Sequence, residues 1–191
     1  MKNSFNLKNH LKIISSFLED DELIDLSKEI KKEIEKTKKR DGVVYFFGNG
    51  GSHSTATHAS LDFNKNAKIS SKHYNDPSML TCFSNDYGSD NVFKKIIEFY
   101  VKKKDCVVLI SVSGNSKNLI NAAKICRKKK IRLITFTGNS KKNSLISLNK
   151  KGYNFFVNHK GYNIVECIHS IYILSLVDSC VGKSVYKISN S

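Results

Sequence analysis

Hydrophobic positions at the start of the chain follow a helical spacing. Leu23, Leu26, Ile30 and Ile34 are separated by three or four residues, and a similar spacing precedes them. Side chains at this spacing share one face of an α-helix. The pattern therefore predicts two amphipathic helices, over residues 5–18 and 24–37.

The pattern changes after residue 41 to short apolar runs that alternate with helical stretches. The run at 43–47 is β-branched and aromatic throughout, which is typical of a strand buried on both faces. Further strands are predicted at 78–83, 106–111, 132–137 and 154–157. Helices are predicted at 52–64, 92–100, 117–129 and 164–181. This alternation indicates right-handed βαβ crossovers and an α/β fold with a parallel sheet of about five strands, its ligand crevice at their carboxyl ends.

Length and composition favour one domain. The chain has 191 residues, of which 40% are hydrophobic, and a single proline, with no Gly/Ser linker and no fixed repeat. We expect one domain over 1–191, made of a helical segment at 1–40 and an α/β core at 41–191. Its apolar runs fall short of the roughly 20 residues of a membrane span, and no signal-peptide pattern is present. Five cysteines without CxxC spacing favour reduced thiols, so a cytoplasmic protein without a membrane partner is expected.

The formal net charge of +15 raises the question of a nucleic-acid partner. Lysines and arginines cluster at the ends of predicted helices, as at 38–40 and 127–130. Cations there complement the helix dipole or lie in water. Since no base-stacking aromatic platform accompanies them, nucleic acid is disfavoured, and a specific polyanion site stays the weaker alternative.

Two short loops carry the clearest chemical signal. Residues 48–52 and 111–116, GNGGS and SVSGNS, each follow a predicted strand and precede a predicted helix. Helix N-termini offer unpaired N–H groups and a positive dipole end, and serines add donors, so phosphate is the natural ligand. Neither loop has the GxxxxGK[ST] or GxGxxG pattern, which favours a sugar phosphate and no nucleotide cofactor. The alternative for any single loop is an ordinary turn with a capping serine.

The predicted topology brings these loops together. Both follow parallel strands, and the carboxyl ends of such strands meet at one edge of the sheet. A third polar loop at 84–88, after the predicted strand at 78–83, is expected at the same rim. Three polar loops at one edge favour a single shared ligand.

These motifs together resemble a known family. GNGGSHSTATHASLD (48–62), SNDYG (84–88), ISVSGNSKNLINAAK (110–124), ITFTG (134–138) and GYNIVECIH (161–169) resemble the sugar isomerase (SIS) domain family and, within it, the phosphoheptose isomerases. The resemblance implies a flavodoxin-like three-layer αβα sandwich. It also implies a homotetramer whose active sites use neighbouring subunits, with the N-terminal helices packed between chains.

The resemblance also implies the function and the substrate-binding residues. The activity would be a ketose/aldose isomerisation of sedoheptulose 7-phosphate to a D-glycero-heptose 7-phosphate, through an enediol. The product would serve nucleotide-heptose synthesis for capsule or lipopolysaccharide. The substrate-binding residues would be Asn49, Gly50, Gly51, Asn85, Asp86, Ser111, Val112, Ser113, Ser116 and Glu166.

The candidate acid/base and metal residues lie on two predicted helices. Asp62 and His169 are the candidate catalytic residues. His58 and Asp62 are four residues apart, and Glu166 and His169 three apart, so each pair shares a helix face. Together they form a predicted site of N and O ligands suited to zinc. The alternative is that these side chains are structural.

Three positions depart from the pattern of the phosphoheptose isomerases. Asp62 replaces a glutamate, Glu166 replaces a glutamine, and Leu174 stands where many relatives have the late catalytic histidine. Leucine cannot move a proton. A sugar-phosphate-binding or protein-interaction module without turnover is therefore the alternative function.

Overall fold

The two N-terminal helices are present where the hydrophobic spacing places them. The computed structural model describes residues 6–183; residue 5, where the first predicted helix begins, lies outside that range. α1 spans Leu7–Leu18 and α2 spans Asp21–Lys39. The Asn6 side chain caps α1 and the Asp20 side chain caps α2, each by accepting a hydrogen bond from a first-turn backbone N–H. α2 buries one apolar face, whereas α1 buries none of its side chains.

A five-stranded parallel sheet forms the centre of the molecule, as predicted. Its strands are β1 (Val44–Gly48), β2 (Ser71–Lys72), β3 (Cys106–Ser111), β4 (Arg132–Gly138) and β5 (Tyr153–Val157). Their spatial order is β2-β1-β3-β4-β5, with every neighbouring pair parallel. This is the flavodoxin-like order, in which the chain switches direction between β1 and β3.

Helices cover both faces of the sheet and make two apolar cores. They are α3 (Gly51–Lys65), α4 (Pro77–Tyr87), α5 (Val92–Tyr100), α6 (Lys117–Lys129), α7 (Ser144–Leu148) and α8 (Tyr162–Val181), with a 3-10 turn at Ser89–Asn91. One core includes Phe46, Phe63 and Val165 under α2, α3 and α8. The other includes Phe47 and Phe93 under α5 and α6. The side chains of β1 and β3 alternate between these cores, which explains why both strands are apolar throughout.

One predicted strand is wrong. Residues 78–83 belong to α4, where Asp76 accepts a hydrogen bond from the Met79 N–H at 2.8 Å and Pro77 begins the helix. An aspartate cap followed by proline is a strong helix start, and it outweighs the β propensity of the apolar residues that follow. The edge strand is instead β2, whose two residues are too few to show a period. α7 is also absent from the prediction.

α8 is the most apolar helix of the fold. Among the described residues it is the one helix long and apolar enough to cross a membrane, with a mean hydropathy of 1.6. In the structure it contacts α1, α2, α3 and β4, and eight of its side chains are buried. Packing within the core therefore accounts for its composition.

Candidate functional site

The two serine- and glycine-rich loops meet at one pocket, as the topology predicts. A cavity of about 90 Å³ lies at the carboxyl ends of β1 and β3, the point where the sheet order reverses. This is where open α/β sheets bind ligands. The lining residues are Asn49, Ser52, Ile110, Ser111, Val112, Ser113, Ser116, Leu119, Tyr162 and Glu166.

Two helix N-termini open at this pocket without a side-chain cap. α3 begins after Gly50 and α6 begins after Ser116, and neither cap residue makes a side-chain hydrogen bond to its helix. A side chain caps α1, α2, α4 and α7, whereas α5 and α8 also begin without such a cap. Uncapped first-turn N–H groups need an acceptor, and an anion supplies it.

The second loop arranges three hydroxyl groups around the same space. The Ser111 Oγ accepts the Gly114 N–H at 3.1 Å, and the Ser113 Oγ accepts the Asn115 N–H at 3.2 Å. A hydroxyl that accepts still has its hydrogen to donate. Ser116 lies with its Oγ 3.5 Å from that of Ser111. The loop thus holds its serines in place and leaves hydroxyl donors for a ligand.

Gly114 allows this loop to close. Its φ is +63°, in the left-handed region, and a Cβ there would run into the Asn143 side chain. The Asn143 amide in turn caps α7 at the Ile146 N–H, at 3.0 Å. Only glycine fits this turn without strain.

A reciprocal amide pair ties the two loops together. Asn49 Nδ2 donates to Asn118 Oδ1 at 3.1 Å, and Asn118 Nδ2 donates to Asn49 Oδ1 at 2.9 Å. The Asn49 side chain is therefore engaged in holding the loops rather than free for the sugar. Sequence reasoning missed Asn118, although a polar residue in the first turn of α6 is well placed to reach a loop at the same sheet edge.

Glu166 reaches the pocket from α8. Its carboxylate lies directly beside Gly51, so close that a Cβ on Gly51 would stand 2.5 Å from the Glu166 Oε2. A side chain at position 51 would therefore displace the Glu166 carboxylate. Tyr162, one turn earlier on α8, lines the same pocket and is a second residue that the sequence reasoning missed.

The predictions for His169 as a catalytic and metal-binding residue are wrong within this chain. The ring is fully buried and packs edge-on against Phe136 and Phe155. Its Nε2 lies 3.2 Å from the Thr137 carbonyl oxygen, and its Nδ1 is buried without a partner. Desolvation lowers its pKa to about 4, partly opposed by the contact with Thr137. His169 is therefore a neutral imidazole in the core and does not line the pocket.

His58 and Asp62 form a pair outside the pocket of their own chain. The His58 Nε2 lies 3.1 Å from the Asp62 Oδ2, with the His58 side chain more than half exposed. Asp62 is eleven residues beyond Gly51 on α3, which corresponds to about 16 Å along a helix axis. Neither residue lines the cavity.

The four predicted zinc ligands do not come together. Over residues 6–183 no group of three or more His, Cys, Asp or Glu side chains is close enough to hold a metal ion. His169 is enclosed by aromatic rings, Glu166 lies at the pocket, and His58 pairs with Asp62. The residues of one chain therefore do not fit the predicted two-helix zinc site.

The predicted third loop is also wrong. Asn85 and Asp86 lie in the last turn of α4, both exposed, with the Asn85 Nδ2 donating to the Asp86 Oδ1 at 3.1 Å. They do not line the pocket. Residues 84–87 are helical rather than a loop. Asp90, just beyond them, still lies 4.0 Å from Lys117 at the start of α6, so the substrate-binding role of Asn85 and Asp86 stays a prediction.

Comparison with known proteins places the chain in a family. The model of the SIS domain matches residues 10–138. The phosphoheptose isomerase of Sodalis glossinidius is 37% identical over 137 residues, covering 69% of this chain and 71% of that protein. The phosphoheptose isomerase of Vibrio vulnificus is 35% identical over 131 residues, covering 66% and 69%.

Solved structures agree on the fold. The phosphoheptose isomerase of Neisseria gonorrhoeae superposes with a TM-score of 0.83 at 25% identity, covering 91% of this chain and 94% of that one. The phosphoheptose isomerase of Francisella tularensis also gives 0.83, at 19% identity, over 92% and 94%. The chain therefore belongs to the SIS domain family and, within it, to the phosphoheptose isomerases.

Proposed function

We propose that this chain is a phosphosugar isomerase that interconverts sedoheptulose 7-phosphate and a heptose 7-phosphate. The observation that carries the proposal is the pocket where two uncapped helix N-termini and three serine hydroxyls meet. The relatives named phosphoheptose isomerase supply the substrate class.

The phosphate binds on the α6 side of the pocket. Ser111, Ser113 and Ser116 surround that end, and the positive end of the α6 dipole adds to their attraction. Hydrogen bonds to an ionised phosphate are shorter and about twice as strong as neutral ones. The formal net charge of +15 raises the rate at which an anionic substrate reaches the site.

The reaction moves one proton between two neighbouring carbons. Sedoheptulose 7-phosphate has its carbonyl at C2, and removal of a proton from C1 gives an enediol. Return of the proton to C2 gives the aldose, so no oxidant or reductant is needed. The chain must supply a base near these carbons and donors that polarise the oxygens.

We infer that the product is a D-glycero-heptose 7-phosphate and that it is used to make surface polysaccharide. We also infer that the enzyme works in the cytoplasm. The relatives' names support the heptose, and the resemblance of the motifs supports the pathway. Zinc stays a prediction from that resemblance, and metal analysis of the purified protein tests it.

The test follows hydrogen exchange at carbon. The protein is incubated with sedoheptulose 7-phosphate in deuterated water, and proton NMR measures loss of the C1 proton signal and formation of the aldose. We expect both, and we expect a Ser113→Ala/Ser116→Ala double variant to lose them at low substrate concentration. Absence of both signals in the unmodified protein would contradict the proposal.

A non-catalytic sugar-phosphate-binding module is the second candidate. It is favoured by one observation, that Asp62 and His169 do not line the pocket. Calorimetric titration with the same substrate separates the two functions. Binding without any exchange supports the module, whereas binding with exchange supports the isomerase.

We further propose that second copies of this chain cover α1, consistent with a homotetramer. Ile14 and Phe17 of α1 pack against the core, whereas Leu7 is 60% and Leu11 54% exposed. Apolar side chains left exposed on an amphipathic helix are typical of an interaction surface. Light scattering after gel filtration is expected to show a tetramer that Leu11→Lys dissociates and that Lys12→Glu leaves intact.

A further inference from the structure

One carboxylate and no imidazole line the pocket within the described residues. Of the lining side chains, only Glu166 and Tyr162 carry an acidic group, and a phenol is a poor base at neutral pH. Proton abstraction next to a carbonyl needs a base within hydrogen-bond reach of the carbon. Among the lining residues, Glu166 is therefore the candidate base.

The Glu166 carboxylate is also available for chemistry. Other acidic residues are engaged: Asp62 by His58, Glu33 by Arg40, and Glu98 by Lys95. Among residues 6–183, no ion pair involves Glu166. Its oxygens lie beside Gly51 at the start of α3.

Charge fixes which end of the substrate faces Glu166. A phosphate dianion is attracted to the serine loop and the α6 N-terminus and repelled by a carboxylate in the same pocket. We therefore expect the uncharged sugar toward the wall formed by Gly51 and Glu166, and the phosphate away from it. Such an arrangement would bring carbon atoms, not phosphate oxygens, beside the carboxylate.

We propose that Glu166 is the base that carries the proton between C1 and C2 of the bound ketose phosphate, an assignment that rests on the proposed function. The carboxylate takes the C1 proton; the C–H electron pair becomes the C1–C2 double bond, and the carbonyl electrons move onto O2. The hydroxyl proton passes from O1 to O2 as the C1 carbonyl forms. The carboxylic acid then returns its proton to C2, which completes the aldose and restores the carboxylate.

The test compares Glu166→Gln with Glu166→Asp. Glutamine keeps the size and hydrogen bonding but cannot take a proton. We therefore expect exchange of the C1 proton to fall about 1000-fold, within the usual contribution of a general base. Sugar-phosphate affinity, measured by calorimetry, should change by less than about fivefold, since the phosphate contacts remain. Aspartate withdraws the base by about 1 Å, so we expect a loss of roughly 100-fold. Glu22→Gln, exposed on α2, is the matched control and should behave as the unmodified protein.

The outcomes separate this inference from the function itself. An unmodified protein that binds the sugar phosphate but exchanges nothing overturns both. Exchange that survives in Glu166→Gln, or that is lost only in a parallel Asp62→Asn variant, overturns the role of Glu166 and leaves the function standing. A Glu166→Gln variant that no longer binds sugar phosphate assigns the residue to binding and also overturns the inference.

Discussion

The two sides of α8 carry polar residues of very different consequence. Glu166 opens onto the pocket, whereas His169, three residues further along, is enclosed by the rings of Phe136 and Phe155. Glutamate and histidine are both common in active sites. The three-residue spacing of Glu166 and His169 is also one at which two side chains on a helix can bind the same metal ion. The difference teaches that the surroundings of an ionisable group, rather than its identity, decide whether it does chemistry.

The polar atoms around His169, on the core side of α8, lower the stability of the fold. The His169 Nδ1 and the Thr137 Oγ1 are both buried without a hydrogen-bond partner. A buried polar atom without a partner costs about 1–3 kcal/mol. Desolvation keeps the imidazole neutral, with a pKa of about 4, so this side of α8 contributes packing and no proton transfer at neutral pH.

The largest expected effect is a loss of stability in acid that depends on His169. Its folded pKa of about 4 lies below the unfolded value of about 6.5. The unfolded chain therefore gains the proton first as the pH falls. The contribution of neutral His169 to the free energy of unfolding is complete above pH 6.5 and decreases between pH 6.5 and pH 4. At pH 4 the free energy of unfolding is lower by about 3 kcal/mol.

Urea denaturation at pH 7.5 and pH 5 measures this difference. About 2 kcal/mol of the decrease should be absent in His169→Gln, which does not titrate. The variant keeps every carboxylate of the unmodified protein, so the comparison isolates the imidazole. An unchanged pH dependence in the variant would mean that the His169 imidazole is not desolvated and would contradict its lowered pKa.

The next effect concerns the opposite side of α8. In Gly51→Ala, the new Cβ would stand 2.5 Å from the Glu166 Oε2, so the carboxylate must move. A displacement near 1 Å can lower activity about 100-fold, and we expect that loss in the isomerase assay. Ser54→Ala, on the exposed side of α3, should keep full activity. A fully active Gly51→Ala would show that the position of Glu166 does not matter.

A smaller effect is expected at the phosphate end. Removal of the Ser116 hydroxyl should weaken phosphate binding by about 1.5 kcal/mol, or roughly tenfold, because the bond is to a charged group. Calorimetry with sedoheptulose 7-phosphate measures the affinity. Ser175→Ala, on an exposed part of α8, is the control and should bind normally. Equal affinity in Ser116→Ala and Ser175→Ala would remove Ser116 from the phosphate site.

The smallest effect tests the link between the loops. Asn118→Ala removes both hydrogen bonds to the Asn49 side chain. Each such bond is worth about 1 kcal/mol, and the loops retain their strands. A decrease of a few-fold in affinity is therefore expected, with the catalytic rate at saturation preserved. A loss as large as that of Ser116→Ala would mean that Asn118 contacts the ligand itself.

Much of the fold follows from local patterns in the sequence. The predicted bounds of α5 and α6 agree with the structure, because each helix has a clear apolar period and no competing strand signal. The two loops come directly after buried strands, and parallel strands end at one edge, so their meeting was predictable. The prediction of a strand at 78–83 is wrong because the Asp76 cap and Pro77 begin a helix there.

The sequence by itself determined the parallel α/β fold and the convergence of GNGGS and SVSGNS on one pocket. These properties depend on spacing along the chain. Only the tertiary structure decided that Glu166 faces the pocket, that His169 is buried in a core, and that His58 and Asp62 pair apart from both. The reason is that solvation, and with it the protonation of a side chain, depends on residues packed from elsewhere in the chain.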